Sequence, residues 1–298
     1  RNSSRAFCGA GAFFVVWGHG VEKDIKAKYN YCMRENIFRH IKPVDQLVFS
    51  DDFMFGAIMQ NPKICKKVLE LLLGIKIDHV EYPELQKSIS PYYAKKGVRL
   101  DVYVADSDKV FDVECQSYKI ANIGKRMRYY QSMLDIDSFL KGTDYSELKE
   151  SYIIFICLDD PFEKGLPLYS FERKCSENSS IELKDESHFL VFNSAAYEKE
   201  NDKELKAFLS FVKNNKAVSS FTKEIAEMVK TKKFEQSFVN EYLAQMLHDR
   251  DVKQIGIEEG VQQGQGSIVR NMISLGKSFS EIAMLTGLSE SQIQYFAR

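Results

Sequence analysis

The stretch Gly97-Val-Arg-Leu-Asp-Val-Tyr-Val-Ala-Asp-Ser-Asp-Lys-Val-Phe-Asp-Val-Glu-Cys-Gln116 decides the fold. Apolar and polar residues alternate on both sides of a short polar break, the pattern of a β-hairpin. In the first strand Val98, Leu100, Val102 and Val104 share one face, and Arg99, Asp101 and Tyr103 share the other. In the second, Phe111, Val113 and Cys115 oppose Asp112, Glu114 and Gln116. A turn centred on Ser107-Asp108 sets Leu100 across from Cys115, Val102 from Val113 and Val104 from Phe111. The same register puts Asp101 directly across from Glu114. A slip of one residue would drive charges into the apolar layer, so the pattern rejects it.

Like charges directly opposed on a sheet are destabilising. Two neighbouring carboxylates therefore point to a shared proton or to a bound cation. Gln116 adds an uncharged amide to the same face. Hard oxygen donors on a rigid hairpin suit Mg²⁺, which takes one or two carboxylates together with waters and substrate phosphate oxygens. That combination points to phosphodiester hydrolysis. The plainer alternative is a half-buried sheet face on which Arg99 and nearby lysines neutralise the acids.

Asp101, then twelve residues, then Glu114-Cys115-Gln116 resembles the core of the PD-(D/E)XK nuclease superfamily. More narrowly it resembles the recombination-promoting nuclease (Rpn) and PD-(D/E)XK nuclease family transposase branch. Ser50-Asp-Asp-Phe-Met-Phe55 is similar to that branch's opening helix, and Arg126-Met-Arg-Tyr-Tyr130 to its Arg-x-x-Tyr-Tyr helix. The glycine-spaced stretch from Gly256 to Gly264 is similar to its repetitive tail, so the likeness runs over residues 44 to 298. The resemblance implies that Asp101, Glu114 and the main-chain carbonyl of Cys115 ligate Mg²⁺, with Mn²⁺ able to substitute. It implies a catalytic part for Gln116, where the superfamily usually has Lys, and for Asp52, with Asp51 the second choice. It further implies a nuclease, an endonuclease acting on DNA, linked to recombination and mobile elements. Two departures stand out. Gln116 cannot supply the positive charge of a Lys, and Gly56 stands where a Lys is expected after the second aromatic. Either fits a slow copy, or an inactive one that grips DNA or a partner protein.

From Ser117 to Arg128 there are four basic residues, Lys119, Lys125, Arg126 and Arg128, and no acid. Cations at a helix start oppose its macrodipole, so their presence calls for another reason. Phosphate contact supplies one, with Tyr129 against sugar or base and the Gln131 amide reaching the site. Tyr130 falls on the apolar stripe and belongs to the core.

The 298 residues, 44% hydrophobic and 12% aromatic, exclude a disordered chain and allow one large domain or a core domain with a smaller appendage. A net charge of −1 means that any nucleic-acid surface rests on local clustering. The six cysteines are scattered, which suggests neither a zinc site nor a disulfide framework and fits a reducing cytoplasm. No apolar run reaches the roughly 18 residues of a membrane span. The chain begins at Arg1, and Ala6 to Gly18 is largely apolar. Without a small-x-small cleavage pattern, residues 1–32 read as sequence outside the working fold.

The expected order is an N-terminal extension over 1–40 and an α/β nuclease-like core over 41–200, a mixed sheet flanked by helices. A helical region follows over 201–252, then a glycine-spaced linker or helix over 253–266, with a linker the simpler reading. A helix-turn-helix-like segment closes the chain over 267–298. Within these, helices are expected at 51–60, 62–73, 122–140, 202–214 and 220–248, and strands at 76–90, 97–116, 152–158 and 188–193. Residues 159–186 read as loop. In the last segment Ser278-x-x-Glu281 is a capping box, and Ile282, Leu285, Leu288 and Ile293 form a small seam. Such a hairpin reads DNA or serves assembly, which leaves a homodimer open.

Overall fold

Helix signals and strand periodicity place the first half of the chain. The computed structural model describes residues 41–297 except 78–79, 81–82, 90–97, 106–107, 120, 139–141 and 143. The chain divides at Pro43, and Val44–Arg298 is the larger unit. The expected extension over 1–40 lies outside the described residues.

Helix α1 spans Asp52–Met59 and α2 spans Pro62–Leu73. The side chain of Asn61 caps α2 by accepting from the N–H groups of Lys63 and Ile64, and Pro62 sits where a missing N–H costs nothing. Gly74 ends it in the left-handed region at φ 66°, a conformation that favours glycine. Strands β1 (Glu84–Ile89), β2 (Val98–Ala105) and β3 (Lys109–Gln116) follow, then α3 (Ile123–Ser138), β4 (Glu150–Cys157), β5 (Leu168–Phe171) and β6 (Ser187–Asn193). The sheet order is β1-β2-β3-β4-β6-β5. The pairs β1/β2, β2/β3 and β5/β6 are antiparallel, whereas β3/β4 and β4/β6 are parallel.

The hairpin register agrees with the alternation: Val102 faces Val113 and Val104 faces Phe111. β3 lies between β2 and β4, and from Val110 to Gln116 every residue is buried. Its polar face is therefore roofed. From α3, Ile123, Met127, Tyr130, Met133 and Leu134 pack on Ile153, Phe155, Cys157 and Val191. On β4, Ile153 lies beside Asp112, Phe155 beside Glu114 and Cys157 beside Gln116. Cys115 falls on the opposite face by strand alternation, its thiol 3.7 Å from the Ser50 carbonyl just before α1.

Helices α4 (Lys203–Asn214) and α5 (Ser220–Lys232) complete the layer over α1. Phe49 stacks on Phe211 and meets Phe208 and Phe55 edge-on. A single helix over 220–248 is not formed: the chain breaks at 233–235 and restarts as α6 (Gln236–Ser274), 39 residues long. Phe238 and Tyr242 pack its first turns on Phe53 of α1. The glycine-spaced stretch is a continuous part of this helix rather than a linker, and residues 250–264 are exposed on every side. Helices α7 (Phe279–Thr286) and α8 (Glu290–Phe296) fold back on its end, burying Val269, Ile282 and Ile293 together. Leu285, expected in that seam, is instead exposed. Strand β5 was unexpected; its four residues pair with β6 from inside a polar stretch that reads as loop. No helix among the described residues is long and apolar enough to cross a membrane.

Candidate active site

At the end of the β2/β3 ladder the two acids of the hairpin meet. The last ladder pair on that side is Val102 with Val113. One step further, the Asp101 backbone N–H donates to Glu114 Oε1 at 2.9 Å. The Glu114 side chain thus takes the donor that a strand neighbour would have taken. Asp101 is half-buried, whereas Glu114 has no exposure at all.

The other Glu114 oxygen is held from α3 and from its own strand. Arg126 Nη2 donates to Glu114 Oε2 at 2.9 Å, and Gln116 Nε2 donates to the same atom at 3.2 Å. Arg126 Nη1 reaches Gln116 Oε1 at 3.4 Å, and its Nε donates to the Tyr130 hydroxyl at 2.8 Å. The guanidinium carbon stands 5.0 Å from the Tyr130 ring centre and 5.4 Å from that of Phe155. One arginine, 30% exposed, therefore bridges a buried carboxylate to a tyrosine and also reaches the neighbouring glutamine.

Burial, followed by the nearby charge of Asp101, pushes the Glu114 carboxyl up to about 8. The Asp101 N–H and the Arg126 guanidinium pull the other way, and the field of Asp52 adds to the rise. A carboxyl so placed is costly as an anion unless a cation lies beside it. Asp112, two residues earlier on the same face, is more extreme. It has no exposure, and neither carboxylate oxygen has a hydrogen-bond partner. Burial and then the Glu114 and Asp101 charges hold its carboxyl well above the ordinary range. The strand pattern put Asp112 on this face, but spacing carried no signal that it would be sealed without a partner.

Asp52 is exposed in the first turn of α1, and its charge is felt at both Glu114 and Cys115. Asp51 is occupied in closing the preceding turn, accepting the Val48 N–H at 2.6 Å. Gly56 is buried and borders a groove lined also by Phe53, Ala57, Lys232, Glu235 and Glu241. The Arg99 side chain, an expected neutraliser, lies outside the described residues; Arg126 fills that part at Glu114.

The basic stretch divides in two. Lys125 and Arg128 are exposed on the outer side of α3, and exposed Lys119 forms an ion pair with Glu163. Arg126 is set apart from them, pointing inward to Glu114. Gln131 does not reach the acids: its amide donates to Asp135 at 2.9 Å and Ser151 at 2.7 Å, and accepts from Ser187 at 3.2 Å. Tyr129 is half-buried and packs on the core cluster rather than lying free for a base. Tyr130 is buried as expected, but its hydroxyl positions Arg126, a contact that the apolar stripe could not announce.

Among the described residues no three His, Cys, Asp or Glu side chains converge tightly enough to hold a metal by themselves. Mg²⁺ needs fewer, since one or two carboxylates with waters and substrate oxygens suffice. Asp101 and Glu114, brought together by the bond from the Asp101 N–H to Glu114 Oε1, are hard donors of that kind.

The mixed sheet, the opposed acids on its hairpin and the helix laid across them define a nuclease-like α/β core. Residues 49–254 match the family model described as PD-(D/E)XK nuclease family transposase, and the chain belongs to that family. The match ends before Gly256, so the glycine-spaced stretch and the C-terminal helical pair fall beyond it. No curated protein and no solved structure matches the chain.

Proposed function

We propose that this chain is a divalent-metal-dependent endonuclease that hydrolyses DNA phosphodiester bonds, with Mg²⁺ the expected ion and Mn²⁺ able to replace it. The observation that carries the reading is the buried Glu114 carboxylate, bonded at one oxygen to the Asp101 backbone and at the other to a cation. Asp101, Glu114 and the Cys115 main-chain carbonyl would hold the metal, with Asp52 close enough to influence it. The ion supplies Lewis-acid activation of water and shields the phosphate charge. Gln116 orients polar groups at Glu114, a task suited to an amide that both donates and accepts. Lys119, Lys125 and Arg128 offer exposed charge for flanking phosphates. Cys65, Cys115, Cys157 and Cys175 are free thiols, which fits a reducing cytoplasm.

A second reading, a nuclease-like fold that grips DNA or a partner without cutting, draws on Arg126 and Gln116, which satisfy Glu114 using protein groups alone. Plasmid nicking separates the two. The purified chain should convert supercoiled plasmid to open circles with Mg²⁺ or Mn²⁺, and Asp101→Ala should not. Equal nicking by both proteins rejects the enzyme assignment. DNA binding with no cleavage under any divalent ion selects the second reading.

A further inference from the structure

The geometry points to Arg126 as a latch that competes with a metal: its guanidinium holds Glu114 Oε2 and must leave that oxygen when a divalent cation binds there. The inference rests on the metal-dependent reading above and assigns this arginine a part in controlling the site.

Glu114 has no exposure, so its charged form must find a counter-charge within the protein. The nearest one is Arg126, 2.9 Å from Oε2. A divalent ion that takes Oε2 as a ligand claims the same atom and brings two like charges toward the guanidinium. Both cations cannot keep that position. The structure also gives the arginine a way out, because its side chain is 30% exposed whereas Glu114 is sealed. Its Nε contact with the Tyr130 hydroxyl and its stacking near the Tyr130 and Phe155 rings steady the inward pose without enclosing it. Released from Glu114, Arg126 swings toward solvent at the start of α3, where Lys125 and Arg128 already lie, and is then free to meet a DNA phosphate. One residue thus balances the acid before loading and serves the substrate after it. A simple structural bridge predicts the opposite ranking of metal affinities, because losing it would loosen the site.

The test measures Mn²⁺ binding to the full chain without DNA, by paramagnetic resonance of the free ion. Arg126→Met should tighten Mn²⁺ binding by about tenfold or more, through loss of the competing charge. Tyr130→Phe keeps the arginine but removes its Nε acceptor, and should tighten binding by about threefold. This milder variant decides the matter if Arg126→Met does not fold. In the wild type, the Arg126 Nε–H resonance should shift when Mg²⁺ is added. Mn²⁺ affinity unchanged or weakened in the folded variants overturns the latch and leaves the metal-dependent reading standing. No Mn²⁺ binding to wild type or variants overturns both.

Discussion

The acids beneath α3 and the exposed length of α6 are built on opposite terms. Asp112, Glu114 and Gln116 sit on a strand buried from Val110 onward, where whatever packs above them determines their charge and partners. Residues 250–264 are exposed throughout, and helical hydrogen bonding with side-chain pairs such as Gln254 to Glu258 maintains them. A change at the first region should therefore act on chemistry and on pH dependence. A change at the second should act by helix propensity alone.

The largest effect expected is at Asp101. Replacement by Ala should lower metal-dependent nicking by at least on the order of a hundredfold, read from the rate of open-circle formation. If the loss is small, the acidic cluster is a structural curiosity, and the contrast drawn above loses its chemical half.

Next comes Asp112→Asn. With its folded-state pKa raised, Asp112 takes up a proton on folding once the pH exceeds the ordinary Asp range, so its contribution to stability falls as pH rises through that window. Glu114 adds to the same slope up to about pH 8. Asn carries no charge to bury. Metal-free Asp112→Asn should melt about 2–4 °C above wild type at pH 8 and close to it near pH 4. A parallel pair of melting curves across pH would show that Asp112 is not the sealed acid described.

In the C-terminal pair the effects should be smaller and local. Ser278 and Glu281 close a reciprocal capping box on α7, and Ser278→Ala should cost about 1 kcal/mol. Hydrogen exchange over 279–286 should speed up while the sheet amides stay unchanged.

The finest discrimination is between two glycines of one helix. A Cβ at Gly260 would meet nothing within 4 Å, so Gly260→Ala should stabilise α6 by up to about 1 kcal/mol. At Gly266 it would lie 3.1 Å from the Phe296 ring and 3.2 Å from the Arg270 guanidinium. Gly266→Ala should therefore lose that gain by pushing on α8. Equal gains in helicity by circular dichroism would mean that α8 does not hold this position.

Much of the core was legible because its signals are short-range. Asn61-Pro62 and Gly74 bracket α2, and the period of two in the hairpin admits one register. The misses share a cause. Strand β5 is four residues without clear alternation and depends on β6 for pairing. The break at 233–235 contains neither Gly nor Pro to signal it. Glycine every fourth residue argued for a linker by propensity, yet the helix continues between ends anchored by Tyr242 and Val269. Gln131 looked available because the sequence could not reveal Ser151 and Ser187 on neighbouring strands.

The sequence by itself determined which residues face one another across the hairpin and where most helices start and stop, since these follow from alternation and capping within a few residues. Only the tertiary structure decided that Glu114 answers to Arg126 and that Asp112 has no hydrogen-bond partner. The physical reason is that a carboxylate's charge depends on the water it loses and the cation it gains, and both depend on which helix crosses the strand.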